Sequence, residues 1–150
     1  MSTLYGLGCD LLDAARVDAL LNDHGERFVQ RILTDAERSE FERRGGAQSR
    51  RGVLYLATRY AAKEALAKAW GTGIGKELSF QDVSVLNDEA GCPVCVPADA
   101  LKLKLAQRGC EVLVSLSDEQ TMVMATVMLV PQSDRPRLNH EQPSTRKEEQ

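Results

Sequence analysis

Aromatic side chains are scarce in this sequence, 5% of 150 residues with a single tryptophan, so a base-stacking platform for nucleic acid has little to be built from. No apolar run approaches the roughly 20 residues that a membrane span requires. The opening Met1-Ser-Thr-Leu-Tyr-Gly6 lacks the basic-then-apolar order of a secretory leader. These absences predict a cytoplasmic protein with neither membrane nor nucleic-acid partners. Cysteine is confined to positions 9, 92, 95 and 110, and histidine to 24 and 140. Cys92-Pro-Val-Cys95 has the spacing of half a zinc site, but no second pair complements it. A redox pair would open a helix, whereas this one starts a short, strand-like apolar run. Reduced, partly buried thiols are the expectation.

What is present suits one globular domain with a modest core. The net charge of −3 conceals an asymmetry: residues 1–76 carry 12 Lys/Arg against 10 Asp/Glu, and residues 77–150 carry 7 against 12. Arginines gather at 27, 31, 38, 43, 44, 50, 51 and 59. A basic region on a weakly acidic chain points to a local anionic partner.

The most informative stretch runs from Arg59 to Gly75. Its alanines and leucine favour a helix over about 53–70, with Gly71 as the left-handed residue that ends it. Glu64 and Lys68 are four apart on one face, compatible with an ordinary surface ion pair or with a metal ligand beside a phosphate-binding ammonium. The following Gly71-Thr-Gly-Ile-Gly75-Lys76 matches neither phosphate-loop signature, though its backbone N–H groups can form a nest for a phosphate.

The remaining elements follow from pattern. Leu4–Leu12 reads as a strand in which Gly6 and Gly8 mark a bulge or the close approach of another chain or ligand. Asp10 near its end serves as a cap or as a metal or polar site, with Asp13 better placed to cap the next helix, which runs to about Asp23. Arg16, unfavourable at a helix start, suggests an outside partner. A short helix containing Phe28 to Leu33 follows, with Arg27 and Arg31 four apart on its polar side. Thr34-Asp-Ala-Glu37 is a capping box that opens a third helix, read as a solvated connector, and 45–52 reads as a loop. The second half is strand-rich: Phe80–Leu86, a turn at Asn87–Gly91, Pro93–Val96, a helix over 98–107, then strands 111–117 and 122–130. The class is α+β, a mainly antiparallel sheet packed on a long helix, with residues 131–150 a polar tail expected to be disordered.

In order along residues 4–130, the chain carries Gly6-Leu-Gly-Cys-Asp10-Leu-Leu with Arg16-Val17; Arg27-Phe with Arg31-Ile-Leu-Thr34 and Glu37; Arg59-Tyr-Ala-Ala-Lys63-Glu64-Ala with Lys68-Ala-Trp-Gly-Thr-Gly; Leu78-Ser-Phe-Gln-Asp82-Val; Asn87-Asp-Glu-Ala-Gly91-Cys-Pro93; and Val114-Ser-Leu-Ser-Asp118. This series resembles the bacterial holo-acyl-carrier-protein synthases, the small single-repeat group of 4′-phosphopantetheinyl transferases. The resemblance implies transfer of phosphopantetheine from coenzyme A to a serine of apo acyl carrier protein, in fatty acid biosynthesis, by a homotrimer with active sites between subunits. It implies that Asp10 and Glu64 hold Mg²⁺ and that Lys68, with Gly71, Thr72 and Gly73, meets the phosphates. Arg50, Arg51 and Arg59 would face the adenosine end and its 3′-phosphate, near Pro93 and Asp118. Arg16, Arg27 and Arg31 would dock the carrier protein. The base for the serine is left between a metal-bound water and Glu64. Ala90, Cys92, Asp118 and Trp70 depart from the residues that many members carry there. The alternative from another class is a non-catalytic carrier-protein-binding module of the same fold.

Overall fold

The long helix is longer at its start than its sequence pattern predicts. In the computed structural model, which describes residues 4–132, it is α4 (Arg50–Trp70). Ser49 caps it by accepting from the Gly52 N–H at 2.9 Å, and Gly71, at φ 97°, closes it in the left-handed conformation. The predicted loop over 45–52 is therefore a 3-10 turn at Gly46–Gln48 followed directly by the helix, which places Arg50 and Arg51 on its first turn. Gly52, the last residue of that predicted loop, lies in the first turn of the helix. Its actual constraint is space, since a Cβ there would sit 1.9 Å from the Gly46 carbonyl oxygen.

Around α4 the chain runs β1 (Gly6–Asp13), α1 (Ala14–His24), α2 (Glu26–Ile32), α3 (Asp35–Arg43), then after α4 β2 (Val83–Asn87), β3 (Pro93–Pro97), α5 (Asp99–Arg108), β4 (Cys110–Glu119) and β5 (Met122–Pro131). The strands form two antiparallel sheets, β1-β5-β4 and the hairpin β2-β3. The strand predicted from Phe80 starts three residues later, because Phe80–Asp82 is a 3-10 turn held by a capping box between Ser79 and Asp82. Pro131, assigned to the tail by composition, still pairs with Cys110 at the end of β5. The rest of the predicted tail, 133–150, lies outside the described residues.

Gly6 and Gly8 serve close approach, and the partner is α4 itself. A Cβ at Gly6 would lie 2.1 Å from the Ala69 carbonyl oxygen, and one at Gly8 would lie 1.8 Å from that of Ala65. No bulge is present, since β1 pairs with β5 without a break from Gly6↔Leu129 to Asp13↔Met122. Alanines at 57, 61, 62, 65, 67 and 69 are all buried, so α4 gives up side-chain volume to bring its backbone against the sheet. Val123, Ala125, Val127 and Leu129 on the inner face of β5 join this core. The outer face of the same sheet is exposed and apolar, with Leu7, Leu11, Met124 and Met128 each at least 40% accessible.

The third helix is not a solvated connector. α3 buries Phe41 and Glu37 completely, and Glu37 has a partner on α4 described below.

Candidate active site

Asp10 reaches the site because Asp13 takes the capping role. Asp13 accepts from the Ala15 N–H at 2.9 Å and starts α1, so the Asp10 carboxylate is left to turn toward α4. There Lys68 Nζ donates to Asp10 Oδ1 and to the Cys9 carbonyl oxygen, both at 2.9 Å. Lys68 is thus tied to β1, not engaged in an ordinary pair with Glu64. That contact raises its pKa, first through the bond to Asp10, and keeps the ammonium charged.

Glu64, one turn before Lys68, is half-buried. Burial first, and then the Asp10 carboxylate, push its pKa above the ordinary glutamate value of 4.5. Two carboxylates that repel each other, one of them held by a lysine, form an oxygen-rich corner between β1 and α4. Mg²⁺ is commonly held by one or two carboxylates together with substrate phosphates, and the Asp10–Glu64 pair is a donor set of that kind. Among the described residues no three His, Cys, Asp or Glu side chains converge into a complete protein cage, so further ligands would come from elsewhere.

Glu64 lines a cleft of about 380 Å³ walled by Leu20, Phe28, Tyr60, Ile74 and Phe80, with Arg16 and Arg31 at its polar side. Phe28 meets Tyr60 edge-to-face and Phe80 meets it at a tilt, each with centroids 5.7 Å apart. Arg16 and Arg31 are thus brought to the Glu64 cleft. Arg27 is exposed on α2 but does not line the cleft. Gly71, Thr72 and Gly73 follow α4 as a turn with φ 97° at Gly71 and 71° at Gly73. Nothing stands within 4 Å of a Cβ placed at either glycine, so backbone conformation, not crowding, selects glycine there.

A second cleft, about 290 Å³, contains Arg51, Arg59, Pro93 and Asp118, four of the residues assigned to the adenosine end. It shares no lining residue with the first. At 100° per residue, Arg59 and Glu64 face different sides of α4. Arg59 is 4% exposed, and it donates to the Val85 carbonyl at 2.9 Å, Thr58 Oγ1 at 3.1 Å and Asn87 Oδ1 at 2.5 Å. Burial lowers its pKa. Arg50 is elsewhere: it donates to the Gln120 carbonyl at 2.6 Å and lies 3.7 Å from Asp18.

Sequence reasoning missed what holds these pieces in place. Lys63 Nζ is fully buried and donates to Glu37 Oε2 and the Phe80 carbonyl at 2.7 Å and to the Ile32 carbonyl at 2.6 Å. Glu37 also accepts from the Thr34 and Val85 N–H groups at 2.8 and 2.6 Å. Burial pulls the Lys63 pKa down, opposed by Glu37. The one available clue was a lysine set among alanines with no acidic residue three or four positions away. Burial pushes the Cys95 thiol up to about 12, which agrees with an inert cysteine.

Residues 6–120 match the 4′-phosphopantetheinyl transferase superfamily, and the chain belongs to that family. The chain is 42% identical over 128 residues to the holo-[acyl-carrier-protein] synthase of Pectobacterium carotovorum, covering 84% of this chain and 97% of that protein. Its fold is similar to the holo-[acyl-carrier-protein] synthase of Neisseria meningitidis, with a TM-score of 0.76 and 39% identity over 84% of this chain and 98% of that one. A Bacillus anthracis holo-(acyl-carrier-protein) synthase in complex with CoA (3′,5′-ADP) is similar with a TM-score of 0.72 and 34% identity, covering 87% and 99%. No helix among the described residues is long and apolar enough to cross a membrane.

Proposed function

We propose that this chain transfers 4′-phosphopantetheine from coenzyme A to a serine of apo acyl carrier protein. The serine oxygen forms a bond to the phosphorus that carries pantetheine. The pyrophosphate P–O bond breaks, adenosine 3′,5′-bisphosphate leaves, and the serine proton is released. The observation that carries this reading is the meeting of Asp10, Glu64 and Lys68 where β1 crosses α4, in a chain of this superfamily.

Asp10 and Glu64 would hold Mg²⁺, which when bound neutralises charge on the pyrophosphate. Lys68 offers a fixed ammonium to the same phosphates, with the Gly71–Gly73 backbone beside it. Arg16 and Arg31, together with Arg27, present cations to an acidic partner and dock the carrier protein next to Glu64. The second cleft, with Arg51 and Arg59, takes the adenosine end.

Because the two clefts of one chain face apart, the working site joins the Glu64 cleft of one copy to the arginine cleft of the next, in a homotrimer. The exposed Leu7, Leu11, Met124 and Met128 face supports association, since an apolar sheet face of this extent is unusual on a monomer. Four free thiols are in keeping with the cytoplasm. Residues 1–130 make up the transferase unit, and a chain ended after Gln132 is expected to retain its activity.

The test is release of adenosine 3′,5′-bisphosphate from coenzyme A in the presence of apo acyl carrier protein. Glu64→Gln should abolish release while remaining folded. Lys68→Ala should lower kcat/KM by roughly 10²–10³-fold while changing stability by less than about 1 kcal/mol, because Lys68 is an exposed pair. Full activity in Glu64→Gln would overturn the assigned role.

A further inference from the structure

Trp70, the single tryptophan of the chain, is the buried last residue of α4. A buried indole N–H needs an acceptor, and here Nε1 donates to Glu77 Oε2 at 2.8 Å. Glu77 stands just beyond the Gly71–Lys76 turn, so this bond ties the residue before the turn to the residue after it. α5 closes the arrangement. Its Arg108 guanidinium lies 3.6 Å from the Trp70 ring centroid and 3.7 Å from Glu77 Oε2, and donates to the Trp70 carbonyl at 3.4 Å. Lys104, one turn earlier on the same face of α5, donates to the Glu77 carbonyl oxygen. A cation beside the last carbonyl of α4 also suits the negative end of the helix dipole.

The turn has little else to hold it. Gly71, Gly73 and Gly75 have φ of 97°, 71° and 115°, and nothing stands within 4 Å of a Cβ placed at any of them. Three unpacked glycines leave the segment wide conformational freedom. Their N–H groups bond back to the Ala67, Lys68 and Leu78 carbonyls. Those of Thr72 and Ile74 have no partner among the described residues. The Ile74 side chain lines the Glu64 cleft. The shape of the turn therefore decides where two unused donors and one cleft wall lie. At 100° per residue, Trp70 and Lys68 face nearly opposite sides of α4. The Trp70 group of contacts thus reaches the Lys68 side only through the turn.

We infer that Trp70, Glu77 and Arg108 form a clasp that fixes the glycine turn in its ligand-ready shape, and that Glu77 is a positioning residue for the phosphates of the nucleotide substrate. The inference rests on the transferase reading above, in which this turn lies beside the coenzyme A pyrophosphate. The clasp touches no phosphate itself. It restricts the turn before the ligand arrives, so less freedom is lost on binding.

The test uses the full-length protein with Glu77→Ala, Trp70→Phe and Glu77→Gln. The first two remove one end of the indole hydrogen bond, and the third keeps an acceptor oxygen. The single indole N–H signal in the proton NMR spectrum reports the clasp directly, and its exchange with solvent should quicken about five- to tenfold in Glu77→Ala. Calorimetric affinity for coenzyme A should fall about three- to tenfold in Glu77→Ala and Trp70→Phe, and Glu77→Gln should restore it. In steady state the same two variants should raise KM for coenzyme A by that factor, with kcat within about twofold and KM for the carrier protein unchanged. Unchanged coenzyme affinity in both variants, with the indole N–H exchanging faster, would mean that the clasp only fastens α5. That result would overturn this inference and leave the transferase reading intact. An indole N–H that exchanges as fast in wild type as in Glu77→Ala would also overturn it. Failure of the wild-type protein to bind coenzyme A would overturn both.

Discussion

Lys63 and Glu37 meet at 2.7 Å with neither side chain accessible to solvent. The pair is the junction of four segments. Lys63 comes from α4 and Glu37 from α3, while the Ile32 and Phe80 carbonyls that also accept from Lys63 belong to two walls of the Glu64 cleft. Removing one partner leaves a buried charge and several unmet backbone groups. Lys63→Met is expected to cost about 3–5 kcal/mol in urea unfolding. The double variant Lys63→Met/Glu37→Met should cost less than the sum of the two single changes, because it leaves no orphan charge. If the two costs simply add, the two side chains are not coupled as described.

Glu64 should titrate above 4.5, for burial and then Asp10 both favour its protonated form. The folded protein therefore holds that proton more tightly than the unfolded chain does. The stability Glu64 contributes is present below about pH 4.5 and is lost as pH rises through its folded value. Glu64→Gln is accordingly expected to be at least as stable as wild type at neutral pH while losing activity. Carboxyl NMR of Glu64 checks the shift directly. In Asp10→Asn the titration should move down only part of the way, because burial remains.

The order of elements was legible in the sequence because it rests on local signals. Asp13 as cap, the Thr34–Glu37 box, Gly71 as the helix end and the Asn87–Gly91 turn all stand as read. The misreadings arise where a residue does two things. Glu37 satisfied the capping box so fully that α3 looked solvated, yet the same carboxylate is the anion for Lys63. Gly52 was placed in a loop, whereas it lies in the first turn of α4 and its missing Cβ admits Gly46. Asp10, Glu64 and Lys68 were found by their resemblance to a known series, since spacing alone fits an ordinary pair. The separation of Arg59 from Glu64 across α4 was implicit in the helical period.

Gly8→Ala tests the β1–α4 contact. The added methyl would stand 1.8 Å from the Ala65 carbonyl oxygen, which is backbone and cannot swing aside. Moving β1 away also moves Asp10, two residues on, from Lys68. A loss of about 3 kcal/mol or more is expected, read as a lowered thermal midpoint, together with reduced turnover in whatever fraction folds. An unchanged midpoint would contradict the packing.

Leu11 is 65% exposed on the outer face of β1. Sedimentation equilibrium should report a trimeric mass for the wild-type chain, and Leu11→Glu should shift it toward monomer because three carboxylates would be buried on assembly. Monomerisation should also abolish turnover if each site needs two copies. A wild-type monomer with full activity would contradict the assembly.

The most direct measurement is the intact mass of apo acyl carrier protein after incubation with this protein, coenzyme A and Mg²⁺, beside a matched sample containing EDTA. The account predicts a gain of one phosphopantetheine only in the metal sample, and none with Glu64→Gln. No gain with several apo carriers, from a protein that still binds coenzyme A, would contradict it.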